Sequence, residues 1–259
     1  MTTLQYEESD GVATVTINRP ERHNAFTLVT ADEFTAVWRH VRECPDVRAV
    51  VVTGAGDKAF CTGIDRTEIR DDQNFDGLTY EDPGRMLGPR ANSCWKPVIA
   101  AVNGMACGGA FYLIAEADFI VAAEHATFFD PHVTFAMAAV FEPALLVHRM
   151  PFGEVARLAL MGSYERLGAE RAYQTGLVSE VVPAADLLST AHTLAAQIAS
   201  QPPIAVQTTV RAVWAARELT RQQMIDAGNA FLAIGTTPEA LAQGQQTFSA
   251  GQRITPRIR

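Results

Sequence analysis

Residues 97–110 read Pro97-Val98-Ile99-Ala100-Ala101-Val102-Asn103-Gly104-Met105-Ala106-Cys107-Gly108-Gly109-Ala110, two kinds of structure joined without a spacer. Val98 to Val102 is an unbroken apolar run, the pattern of a strand covered on both faces in a parallel sheet. Asn103-Gly104 and Gly108-Gly109 then punctuate the chain, and Gly108 to Ala115 reads as a buried helix. A second stretch repeats this form. Val47 to Thr53 is a buried strand, Gly54-Ala55-Gly56-Asp57 turns, and Ala59-Phe60-Cys61-Thr62-Gly63-Ile64-Asp65 leads into a short helix expected over Asp65 to Arg70. Strands alternating with helices place the chain in the α/β class.

Upstream, Leu4 to Glu8 and Val12 to Asn18 make a hairpin about Ser9-Asp10-Gly11. Thr30-Ala31-Asp32-Glu33 has the form of a capping box, opening a helix whose Phe34, Val37, Trp38 and Val41 share a face. Downstream, Asp71 to Pro83 reads as a polar loop, and Met86 to Trp95 and Ala136 to Phe141 as helices. Asp118 to Ala122, Ala126 to Phe129 and Val178 to Val182 read as short strands, with helices over Glu154 to Met161 and Gly168 to Thr175. From Ala184 nearly everything is helical, with breaks at Pro202-Pro203, Gly235 and Pro238. The expected organisation is a core over residues 1–195 and a helical region over 196–259.

The 259 residues are 48% hydrophobic and 19% charged, which supplies a large core and excludes default disorder. Lys and Arg number 21 against 29 Asp and Glu, a formal charge of −8 that repels nucleic acid and anionic membrane alike. An anionic ligand then needs a local cation cluster or a helix N-terminus. Cys44, Cys61, Cys94 and Cys107 show no C-x-x-C pair, and no disulfide framework or metal site is suggested. The stretch from Pro97 to Ala115 is uncharged over 19 residues, but its proline, asparagine and glycines fit strand, turn and helix rather than a span. MTTLQYEESDG has no basic region leading into an apolar one, so a cytoplasmic globular protein is expected. Nucleophile-elbow, zincin, Walker and dinucleotide-binding motifs do not occur.

In both strand-to-helix stretches glycine lets main chain approach a ligand, and a helix N-terminus offers free N–H donors. Two such donors on one oxygen make an oxyanion hole. Either turn taken singly also fits ordinary tight packing. Taken together, the two stretches resemble the enoyl-CoA hydratase/isomerase (crotonase) family. The resemblance extends through Asn18-Arg19-Pro20, Asn24-Ala25-Phe26, Lys96-Pro97, Ala117-Asp118, Ala126-Thr127-Phe128 and Gly176-Leu177-Val178. It implies a spiral of ββα units, a C-terminal helical trimerisation region, trimers or hexamers, and an acyl-CoA thioester substrate without a tightly bound cofactor.

Carried over residue by residue, the resemblance puts the oxyanion hole on the N–H groups of Ile64 and Gly109. The family's two catalytic glutamates fall on Tyr112 and His132, so both carboxylates are absent here. Tyrosine is a poor base at neutral pH, whereas histidine serves as acid or base. Asp130, two residues before His132 in a segment expected to be extended, would share its face and orient the imidazole. Glu142 is an alternative acid, with a solvated helix end as its plain reading. Arg22, Asn24 and Ala25 correspond to the segment that meets the nucleotide of CoA, and Arg253 with Arg257 and Arg259 forms a basic tail suited to phosphate. These substitutions point away from an efficient simple enoyl-CoA hydratase and toward an isomerase, a C–C-cleaving hydrolase, a decarboxylase or a specialised hydratase or dehydratase of a CoA thioester. An acyl-CoA-binding protein without turnover is the alternative.

Overall fold

The computed structural model describes residues 1–68, 81–251 and 255–258. Strands β1 (Leu4–Ser9) and β2 (Val12–Ile17) form the expected hairpin, turned at Asp10 and Gly11, both at positive φ. Helix α1 (Leu28–Glu43) begins two residues before the expected cap. Thr27 and Thr30 cap reciprocally, which frees Glu33 to accept hydrogen bonds from Thr2, Thr3 and the Leu4 N–H. Burial pushes the Glu33 carboxyl up, but these bonds win and hold it at about 2.

Two sheets follow from the repeated ββα form. The first carries β1, β2, β3 (Ala49–Gly54), β5 (Val98–Val102), β7 (Phe119–Ala123) and β10 (Glu180–Val182), in that order and parallel from β2 onward. The second joins β4 (Ala59–Cys61) and β6 (Met105–Cys107), in stretches the sequence reading took for turns, to the expected strand β8 (Thr127–Phe129) and to β9 (Leu167–Gly168). From β3 on, the pairs β3/β4, β5/β6 and β7/β8 each send one strand to each sheet. Asn103 ties the layers together, accepting from the Gly54 N–H and donating to the Gly54 and Gly56 carbonyls at 2.9 and 2.7 Å.

Helix α2 (Ala110–Glu116) is buried through most of its length, whereas the helix expected over Met86 to Trp95 is a chain of turns. Gly88 and Pro89 interrupt it. Its main-chain groups are satisfied from outside: the Glu116 carboxylate accepts from Arg90 and Ala91, and the Asn92 amide donates to Met86 and Gly88. The expected helix over Ala136 to Phe141 is also absent. Ala136 ends a 3-10 turn (His132–Phe135) in the left-handed conformation, and α3 spans only Phe141–Leu146. A helix from Ala136 would put Pro143 in its interior, whereas the observed start leaves Pro143 in the first turn, where it is tolerated.

Helices α4 (Phe152–Met161) and α5 (Ala169–Gln174) complete the core. Helix α6 (Leu187–Ala199) lies on the first sheet and buries Leu187, Ala191, Ala195 and Ala199. The boundary placed at residue 195 thus falls inside a helix that belongs to the sheet. Helices α7 (Pro203–Glu218), α8 (Arg221–Gly235) and α9 (Pro238–Ser249) follow. No helix among the described residues is long and apolar enough to cross a membrane.

Trp38 is fully buried on α1, with its indole N–H donating to the Leu87 carbonyl at 2.7 Å. Trp38→Ala is expected to cost about 3–5 kcal/mol, through lost burial and the cavity left behind. Urea denaturation checks this; a loss under 1 kcal/mol would mean that the region collapses around the gap.

Candidate active site

The two glycine-rich turns meet. Phe26 forms a parallel bridge with Ile64, its N–H bonding the Gly63 carbonyl and its carbonyl accepting from the Asp65 N–H, both at 2.8 Å. In such a bridge the intervening residue turns its own N–H to the opposite side. Gly63 sits at φ 82°, and a Cβ there would lie 3.1 Å from the Gly109 nitrogen. A Cβ on Gly109 would lie 2.5 Å from the Phe26 ring. Only glycine permits this approach at both positions. Ile64 and Gly109 line one pocket of about 160 Å³.

Tyr112, His132 and Glu142 line the same pocket. Tyr112 is buried on α2, its ring against Gly84. Asp130 stands fully buried behind His132. The pairing of these two residues arises differently from the expected extended face. Pro131 is helical (φ −83°, ψ −3°), so the chain turns, and Asp130 Oδ1 accepts from both the His132 main-chain N–H at 3.1 Å and His132 Nδ1. An acceptor at Nδ1 places the neutral ring's proton there and leaves Nε2 with the lone pair. The hydrogen bond that His132 donates to Asp130, opposed by burial, raises the His132 pKa above the ordinary imidazole value.

Glu142 corrects its plain reading as a solvated helix end. It is 4% exposed in the first turn of α3, with Oε1 3.7 Å from His132 Nε2. Burial pushes its carboxyl above the usual range, against the opposing pull of His132. At 3.7 Å the two groups are too far apart for a direct hydrogen bond, and an oxygen atom placed to one side of the pair lies within hydrogen-bond distance of both. Ligand atoms of Asp130, His132 and Glu142 lie within 4.8 Å of one another. They could converge on a divalent cation only by giving up the Asp130–His132 hydrogen bond.

The expected nucleotide-binding residues stand apart from this pocket. The Asn24 amide is fully buried, donates to the Ala55 and Ala59 carbonyls and accepts from the Arg19 N–H, so its side chain is structural. Ala25 is buried, with its carbonyl taken by Arg19. Arg22 is half exposed near Asp65, 3.9 Å away. Arg253 and Arg259 lie outside the described residues, as does most of the loop expected from Asp71 to Pro83, whereas Arg257 pairs with Glu180. The sequence reading missed Arg66, Phe135 and Met137 as pocket residues. The signal for Phe135 was its spacing of three from His132, which eclipses the two on a 3-10 turn.

A larger cavity, about 590 Å³, lies between α7 and the first sheet, lined by Asp118, Arg149, Trp214 and Arg217 among others. It contains none of the expected site residues. Cys61 and Cys107 are buried, which pushes each thiol to about 12 and makes them poor nucleophiles.

The site thus sets two glycine-bearing turns beside a His132–Asp130–Glu142 cluster, on two sheets joined by ββα units. The family model described as enoyl-CoA hydratase/isomerase matches residues 7–253, and the chain belongs to that family, whose members act on CoA thioesters. It is 33% identical over 254 residues to (E)-benzylidenesuccinyl-CoA hydratase of Thauera aromatica, covering 98% of this chain and 97% of that one. It is also 33% identical to carnitinyl-CoA dehydratase of Escherichia coli over 205 residues, covering 78% and 77%. An enoyl-CoA hydratase/isomerase from Mycobacterium paratuberculosis superposes with a TM-score of 0.89 at 32% identity, covering 99% of each chain.

Proposed function

We propose that this protein adds water to, or removes it from, an acyl-CoA thioester, using His132 and Glu142 in place of the family's two glutamates. The observation that carries the reading is the arrival of Ile64, Gly109, His132 and Glu142 in one pocket, with Asp130 buried behind the imidazole. The thioester carbonyl oxygen lies between the N–H groups of Ile64 and Gly109, which stabilise the enolate that forms as water attacks. His132 Nε2 takes a proton from the water as its oxygen bonds to the β-carbon. Glu142, kept protonated to higher pH by burial, delivers a proton to the α-carbon and collapses the enolate. Transfer from the imidazolium back to the glutamate resets both groups, and the reverse sequence is dehydration.

Tyr112 occupies the remaining catalytic position as a hydroxyl against the acyl group. Hydration of crotonyl-CoA, which meets neither family glutamate here, is expected to be slow. CoA outside the pocket is held by Arg22 and by the tail containing Arg253. Helices α7 to α9 leave Val213, Ile225, Leu232, Ile234, Leu241 and Phe248 exposed, which supports burial between subunits of a trimer or a dimer of trimers.

A panel of enoyl- and 3-hydroxyacyl-CoA thioesters tests this. At a hundredfold excess over Kd a ligand stabilises by about 2.7 kcal/mol, so cognate thioesters are expected to raise Tm by about 5–10 °C. In ¹⁸O-water the product is expected to carry label at the β-hydroxyl. A panel that moves Tm nowhere would remove the thioester reading. Binding without label incorporation by any member would leave a carrier in place of an enzyme.

A further inference from the structure

Arg66 lines the thioester pocket, with its guanidinium carbon 4.4 Å from the centre of the Phe135 ring. It is the one Lys or Arg among the described residues lining that pocket. Its sequence neighbour Asp65 does not neutralise it. The Asp65 carboxylate is turned away, bonded to Arg19 at 3.0 Å and to Thr67 at 2.7 Å. No ion pair involves Arg66 among the described residues, whereas Arg19, Arg22 and Arg90 each face a carboxylate.

Both halves of the Arg66–Phe135 pair are anchored to the reacting centre. Arg66 follows Ile64 by two residues on a 3-10 turn (Arg66–Glu68), and Phe135 follows His132 by three on another. The pair thus joins the donor side of the pocket to the acid/base side. A guanidinium spread on an aromatic face keeps its planar N–H edge available, and that edge matches a carboxylate with two parallel hydrogen bonds. Phe26, Pro83, Phe135 and Met137 beside it are apolar, and Arg66, Phe135 and Met137 are exposed, so an anion meeting this edge at the pocket mouth keeps contact with water.

We infer that Arg66 selects acyl groups that carry a second carboxylate, making the substrate the monothioester of a short dicarboxylic acid. The selection rests on the reading of this pocket as the thioester site. One carboxyl carbon of the acid is the thioester, held at Ile64 and Gly109, and the far carboxylate meets Arg66. A neutral acyl chain of the same length leaves the guanidinium edge without a partner and is bound less well. Asp82, also in the lining, donates nothing to an anion; its Oδ1 accepts from the Gly84 N–H at 2.7 Å.

The test compares binding of two saturated thioesters that cannot be hydrated, glutaryl-CoA and butyryl-CoA, with free CoA as the third probe. Titration calorimetry of the wild-type protein is expected to show glutaryl-CoA bound about 10–100-fold more tightly than butyryl-CoA, the range of a charge-assisted pair. In Arg66→Gln that ratio is expected to fall to near one, and in Arg66→Lys to recover in part. Arg66→Gln weakening glutaryl-CoA, butyryl-CoA and free CoA by one common factor would overturn the inference and assign Arg66 to the CoA phosphates. A wild-type ratio near one would overturn it as well. Absence of binding by all three probes would instead sink the thioester reading on which it rests.

Discussion

Replacing His132 with Gln is expected to lower kcat/KM for the cognate thioester by about 10²–10⁴-fold, the usual contribution of a general acid–base group. Glutamine retains an N–H for Asp130, so the buried carboxylate keeps a partner and the melting temperature is expected to change little. The pH profile carries the sharper signature. His132 must be unprotonated at Nε2 to accept a proton, and the hydrogen bond it donates to Asp130 raises its pKa. Activity in the hydration direction is therefore expected to rise with pH through a value above the ordinary imidazole value of about 6.5. Asp130→Asn removes the anion, so this limb is expected to move to lower pH while the plateau drops by less than in His132→Gln. Steady-state rates from pH 5 to 9 check both. Identical limbs in the wild type and Asp130→Asn would separate the dyad from catalysis.

Gly109→Ala is the second large effect. The new methyl would stand 2.5 Å from Phe26 Cε1 and 3.2 Å from Cζ. Phe26 is buried and bridged to Gly63 and Asp65, so it cannot yield without moving the Ile64 N–H. Both donors are displaced together. Loss of alignment at an oxyanion hole is expected to lower kcat by about 10²–10³-fold, with a stability cost of about 1–3 kcal/mol from overpacking. Stopped-flow rates, together with a denaturation curve proving the variant folded, measure this. A folded Gly109→Ala protein with unaltered kcat would place the enolate oxygen elsewhere.

The first sheet was legible because its strands are continuous runs such as Val98 to Val102, a pattern with few alternatives. Of the second sheet only β8 was. Ala59–Cys61 and Met105–Cys107 have three residues each, too short for any period, and the glycines around them look like turn residues because one side of each strand does turn. Met86 to Trp95 carries apolar spacing that resembles a helix, but the carboxylate of Glu116 supplies its hydrogen bonds from a helix 26 residues away from Arg90. Sequence spacing records nothing of such a long-range partner.

At the site, Ile64 and Gly109 were found through glycine and the family pattern, and His132 with Asp130 through position. The route from Asp130 to His132 was misjudged, since Pro131 turns where an extended residue was expected. Glu142 was legible only as a carboxylate of unknown address, because its burial depends on where α3 starts. Asn24 shows the opposite case: a polar residue in the segment expected to meet the nucleotide is a satisfied internal bracket at φ 56°.

The main-chain nature of the two facing donors also bears on how this protein can change. Their positions are fixed by Gly63, Gly109 and a strand bridge, whereas the groups proposed to move protons and to select the acyl group are side chains on α2, α3 and two 3-10 turns. A combinatorial library at Tyr112, His132, Phe135 and Arg66 would vary the reaction and its substrate while the electrophile-activating frame is inherited unaltered. The molecule divides its evolvable from its non-evolvable parts at the boundary between backbone and side chain.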